Sequence, residues 1–141
     1  MLALALALSA LSCGDSLGPG EVEGRYVLES VSAAQLPVTL SGDGWSYRIV
    51  ADTIWFDDDG RGTKVHIQEW NGRGPERFEQ RFDYRYRGGR VEVTYVCPPN
   101  ASCIEGPHLI VRRQHNKLIA SYSPHMQGQG NPEFTYRPAA P

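Results

Sequence analysis

The chain has 141 residues, 40% hydrophobic and 21% charged, which is room for one domain of ordinary globular composition. Its 14 basic and 16 acidic residues leave a net charge of −2, so no field attracts a phosphate backbone and nucleic acid is not an expected partner. With 15 Gly, 10 Pro and no sustained 3.6-residue apolar period, the composition points to short strands joined by turns.

The chain opens with MLALALALSALSC, an unbroken small and apolar run that ends at Cys13. It is shorter than the roughly 20 residues that span a bilayer and has the length of the apolar part of a signal peptide. Ala10-Leu11-Ser12-Cys13, with Gly14 behind it, resembles a bacterial lipobox. The resemblance implies a lipoprotein signal peptide over residues 1–12, acylation of Cys13, and a chain anchored by lipid to a membrane of the bacterial cell envelope. An ordinary secretory leader or a first apolar strand is the other reading. Residues 13–21 then read as a flexible tether, because Gly, Pro and Ser without apolar periodicity bury too little surface to order themselves. The folded domain is expected over residues 22–138.

Gly24 to Val31 is the first expected strand, followed by a loop through Leu36-Pro37 to Gly44. Ser46 to Val50, with Tyr47 and Ile49 on one side, and Thr53 to Asp57, with Ile54 and Phe56 on one side, are two strands or one bent strand. Asp59-Gly60 signals a hairpin, and a two-residue loop there sets Phe56 across from Thr63 and Ile54 across from Val65. The return, Thr63 to Trp70, then carries Val65 and Ile67 on its apolar face and Lys64, His66 and Gln68 on its wet one.

After the loop of residues 71–76 comes the strongest pattern in the chain. Phe78, Gln80, Phe82, Tyr84 and Tyr86 share one parity, while Arg77, Glu79, Arg81, Asp83 and Arg85 share the other, as in a half-buried strand. Gly88-Gly89 supplies a two-residue turn that tolerates positive φ at both positions, which pairs Tyr86 with Val91, Tyr84 with Val93, Phe82 with Tyr95 and Arg85 with Glu92. CPPNASC is a Pro-interrupted connection. Leu109 and Val111 belong to the next strand, His115-Asn116 turns the chain, Leu118, Ala120 and Tyr122 line the return, and Phe134 and Tyr136 form a last short strand beyond SPHMQGQGNP.

These segments make an all-β protein of eight or nine antiparallel strands, which close most economically into an up-and-down barrel; an open sandwich is the alternative. Gly24-x-Tyr26, Leu36-Pro37, the Asp59-Gly60 hairpin and Phe134-Thr135-Tyr136-Arg137 together resemble the small lipocalin-like lipoproteins of bacteria. That resemblance implies an eight-stranded calycin barrel.

Three cysteines leave an odd one in an exported chain, unless lipid consumes Cys13, after which Cys97 and Cys103 make a disulfide; two free thiols are the competing reading. Asp57-Asp58-Asp59-Gly60 reads as a polar hairpin end, since Gln68 stands where a calcium loop of the EF-hand type needs Glu. His66, His108, His115 and His125 lack the close spacing of a zinc motif. There is no nucleophile elbow, phosphate loop or dinucleotide fingerprint, so no catalytic residue, metal or cofactor is assigned. Gln80 interrupts the aromatic row and needs a hydrogen bond or a ligand if it points inward. The expected function is a membrane-tethered binding module with a small apolar or amphiphilic ligand, and Tyr47, Phe78, Gln80, Phe82, Tyr84 and Tyr86 as candidate walls. The alternative is a protein-interaction lipoprotein, such as an inhibitor of a wall-degrading enzyme, that uses exposed loops around a solid core.

Overall fold

The computed structural model describes residues 16–124, 126 and 130–141. Cys13, the leader and His125 lie outside the described residues. The strands are β1 (Gly24–Val31), β2 (Ala34–Gln35), β3 (Val38–Gly42), β4 (Trp45–Phe56), β5 (Arg61–Trp70), β6 (Arg73–Arg87), β7 (Arg90–Tyr95), β8 (Leu109–Gln114), β9 (Lys117–Tyr122) and β10 (Glu133–Pro138). From β4 to β10 each strand pairs antiparallel with the next; β10 pairs with β1, and β1 reaches β4 through Gly24↔Phe56 to Val27↔Thr53. The result is a closed eight-stranded up-and-down barrel. Closure pairs the edges that an open sheet of this size would leave bare. The two extra strands, β2 and β3, lie within the stretch expected to be a loop and extend the wall at β1 and β4.

The central hairpin has the register that its sequence specifies. Tyr86 pairs with Val91, Tyr84 with Val93, Phe82 with Tyr95 and Arg85 with Glu92, and Arg85 also donates to the Glu92 carboxylate at 2.7 Å on the wet face. Gly88 and Gly89 have φ of 59° and 76°, the two positive values that this turn requires.

The preceding hairpin differs from expectation by one residue. Phe56 pairs with Gly62, Ile54 with Lys64 and Asp52 with His66. The Asp57 N–H donates to the Arg61 carbonyl at 2.8 Å, which makes Asp58, Asp59 and Gly60 a three-residue loop, with Gly60 at φ 81°. A three-residue hairpin of this kind needs Gly in its left-handed third position, so the same Asp-Gly pair serves a longer turn than the expected one. Because side chains alternate across a sheet, a slip of one residue exchanges the two faces of the whole strand. The expected faces of β5 are therefore corrected: Lys64, His66 and Gln68 point into the barrel with Ile54 and Phe56, and Val65 and Ile67 lie on its outer wall.

A bulge at Val50 joins the two expected runs of residues 46–50 and 53–57 into one bent β4. It shifts the inward parity from odd (Tyr47, Ile49) to even (Asp52, Ile54, Phe56), as an inserted residue must.

One end of the barrel is packed solid. Phe56 makes edge contacts with Tyr26, Phe82 and Tyr84 at centroid distances of 6.2, 5.3 and 5.2 Å. Leu17 and Val22 cap this layer with 2% and 0% of their surface exposed. The Leu17 N–H donates to the Gly89 carbonyl at 2.7 Å, the Gly20 N–H to the Tyr86 hydroxyl at 3.1 Å, and Arg113 to the Glu21 carbonyl. The tether expected over residues 13–21 is thus, from Leu17 onward, a docked plug rather than loose chain. It closes the end that also carries the turns at residues 58–60, 88–89 and 115–116.

Candidate functional site

The other end of the barrel is hollow. A cavity of about 440 Å³ lies between the first half of β4, the second half of β5, Gln80 of β6, the adjoining ends of β7, β9 and β10, and His108 just before β8. Its floor is polar because the slipped register delivers Lys64 and His66 to it, and because the Val50 bulge turns Asp52 inward.

Asp52 and Lys64 form a buried ion pair, with side chains 3% and 12% exposed. Lys64 donates to Oδ2 of Asp52, and the hydroxyl of Tyr136, on β10, donates to Oδ1 at 3.0 Å. Both carboxylate oxygens are therefore engaged. Burial pushes the Asp52 carboxyl above its ordinary range, while Lys64 and then Tyr136 oppose the shift. His66 lines the same floor and stacks on Phe78 with centroids 5.1 Å apart. Burial, reinforced by the Lys64 charge, lowers its pKa to about 4, so the imidazole is neutral at physiological pH. Among the described residues its buried Nδ1 has no hydrogen-bond partner.

The walls are aromatic and apolar. Tyr47 stacks between Trp45 and Trp70 at 5.6 and 5.9 Å, and Tyr122 meets Phe134 edge-on at 5.5 Å. Tyr95 packs on His108, whose Nδ1 accepts the Tyr95 backbone N–H at 3.1 Å, so its proton sits on Nε2. Burial first raises the hydroxyls of Tyr95, Tyr122 and Tyr136, joined by the Asp52 charge at Tyr95 and Tyr136 and by the neighbouring Tyr47 at Tyr122, which keeps all three protonated and able to donate.

The mouth is rimmed by Trp70 at the β5–β6 tip and by Val96, Pro98, Cys103 and Ile104 of the β7–β8 connection. Trp70, Val96 and Ile104 are all exposed large apolar side chains, an uncommon grouping unless something covers it. Cys97 and Cys103 form a disulfide with Cα atoms 5.9 Å apart, which ties this connection into a compact loop over the opening. At its base the Ser123 hydroxyl donates to the Pro107 carbonyl, and the His108 N–H reaches the Val93 carbonyl at 2.7 Å.

The candidate wall residues divide between the two ends. Tyr47 and Gln80 line the cavity, and Phe78 stands behind His66. Phe82, Tyr84 and Tyr86 do not reach it: Phe82 is 1% exposed in the solid layer, and the Tyr84 and Tyr86 hydroxyls meet the Asp57 carbonyl and the Gly20 N–H. Asp52, Lys64, His66, Gln68, Tyr136 and His108 were not among the candidates. Gly62 was the available signal. Only a residue with no side chain fits opposite Phe56 and beneath Phe82, and Gly62 shares its parity with Lys64, His66 and Gln68.

Among the described residues no group of three or more His, Cys, Asp or Glu is placed to hold a metal ion, and no helix is long and apolar enough to cross a membrane. Comparison of the chain with protein-family models, with curated proteins and with solved structures gives no match.

Proposed function

We propose that this protein is a container for one small amphiphilic molecule, held at the bacterial cell envelope by a lipid on Cys13. The observation that carries the reading is the 440 Å³ cavity with a polar floor, aromatic walls and an apolar rim. Pockets of a few hundred Å³ with mostly apolar walls and a few convergent polar groups suit a small organic ligand. An apolar chain along Ile49, Tyr122 and Phe134 leaves water, which contributes roughly 25 cal/mol per Å² buried. The polar head would meet donors at Lys64, Gln68 and Gln80. On this reading the protein binds and does not catalyse.

The anchor rests on the lipobox-like residues 10–14 and on cysteine pairing. With Cys97 and Cys103 joined, Cys13 is the remaining cysteine of three, as acylation requires. Two measurements test the proposal. Native mass spectrometry of the full chain purified from bacterial envelopes is expected to show one added small molecule that organic solvent extracts. A protein that is empty and takes up no straight-chain alcohol would end the container reading. Cys13→Ser is expected to move the protein from the membrane to the soluble fraction; retention in the membrane would end the anchor.

A further inference from the structure

We infer that the cavity selects an uncharged head that accepts hydrogen bonds, such as an alcohol, ester or amide, and discriminates against both carboxylate and ammonium heads. The inference rests on the container reading and deepens it.

The argument is a charge count on the floor. Asp52 is already engaged at both oxygens, by the Tyr136 hydroxyl at Oδ1 and by Lys64 at Oδ2. An ammonium has three N–H donors, and among the described residues Lys64 meets one acceptor, Asp52. The side chain lines the cavity, so its two further N–H groups can turn to a bound head. Gln68 and Gln80 add uncharged amides, and His66 stays neutral because burial holds its pKa near 4.

The Asp52 and Lys64 pair is electrically neutral whichever partner holds the shared proton. Among the described residues no uncompensated positive charge lines the cavity, so a carboxylate head would add a lone negative charge beside Asp52 away from bulk water. An ammonium head would face Lys64 with the same sign. Bringing like charges together in a partly desolvated site is strongly unfavourable. A neutral acceptor satisfies the Lys64 donors without that penalty, and an alkane leaves them unmet.

The test uses the full chain with decan-1-ol, decanoate, decylamine and decane at pH 7, followed by tryptophan fluorescence, because Trp70 stands at the mouth. Decan-1-ol is expected to bind at least about tenfold more tightly than the other three. Decanoate or decylamine binding as well as the alcohol would overturn the inference while leaving the container reading intact. Equal binding of decane would overturn it too, by showing that the head is not read. If none of the four binds, the container reading fails and takes the inference with it. Asp52→Asn keeps an acceptor for Tyr136 but leaves Lys64 positive and uncompensated. In that variant decanoate is expected to bind at least about tenfold more tightly than it binds the native chain; an unchanged affinity in folded variant would count against the charge argument. Should the variant not fold, the native series decides alone.

Discussion

Lys64 donates from inside the barrel wall to the same Asp52 carboxylate that accepts the Tyr136 hydroxyl at 3.0 Å, so β4, β5 and β10 are joined across the cavity floor. Removing one member of a buried pair strands the other. Lys64→Met leaves a carboxylate without its counter-charge, and a loss of about 3 to 5 kcal/mol in urea unfolding is expected. Asp52→Asn combined with Lys64→Met removes both charges and keeps an acceptor for Tyr136, so it is expected to recover most of that loss. A double variant no more stable than the single one would show that the pair contributes something other than charge compensation.

His66 gives stability an acid dependence with a definite sign. Its folded pKa of about 4 lies below the ordinary 6.5, so the unfolded chain takes up a proton first as pH falls. Its contribution is complete above about 6.5, declines as pH drops through that window, and levels off below about 4. The expected loss is on the order of 2 kcal/mol, allowing for partial exposure. Asp52, whose pKa is raised, acts in the opposite sense, favouring the fold as it is protonated. His66→Phe isolates the histidine: its unfolding free energy is expected to fall less than that of the native chain between pH 6.5 and 4, and parallel curves would contradict the assignment.

Gly62 is where the solid layer is tightest. A Cβ placed there would lie 2.2 Å from the Trp55 carbonyl oxygen and 2.3 Å from the Phe82 ring. The backbone oxygen cannot swing aside as a flexible side chain would. Gly62→Ala is expected to destabilise by about 3 kcal/mol, measured by thermal or urea unfolding, whereas a near-neutral effect would mean that Phe82 does not pack beneath this position.

The closed barrel was legible because the aromatic alternation of residues 78–86 and the Gly88-Gly89 turn agree on one register. The cavity was less so. Asp59-Gly60 reads equally well as the end of a two-residue or a three-residue loop, and Val65 and Ile67 look like the inward set beside Lys64, His66 and Gln68. Both are half-buried on the outer wall, so their apolar character does not mark the interior. An interior that carries a lysine and a histidine runs against the usual alternation, and only a register known to one residue reveals it. The strand bulge at Val50 and the burial of Leu17 depend on long-range packing, which local pattern does not report.

The most direct test of the inward floor is NMR of the full chain, labelled at side-chain methyl groups and histidine rings, during titration with decan-1-ol. Shifts are expected at Ile49, Val96, Ile104 and the His66 ring, with Val65 and Ile67 little changed. Large shifts at Val65 and Ile67, with none at Ile49 or His66, would put the ligand outside the barrel and contradict the account.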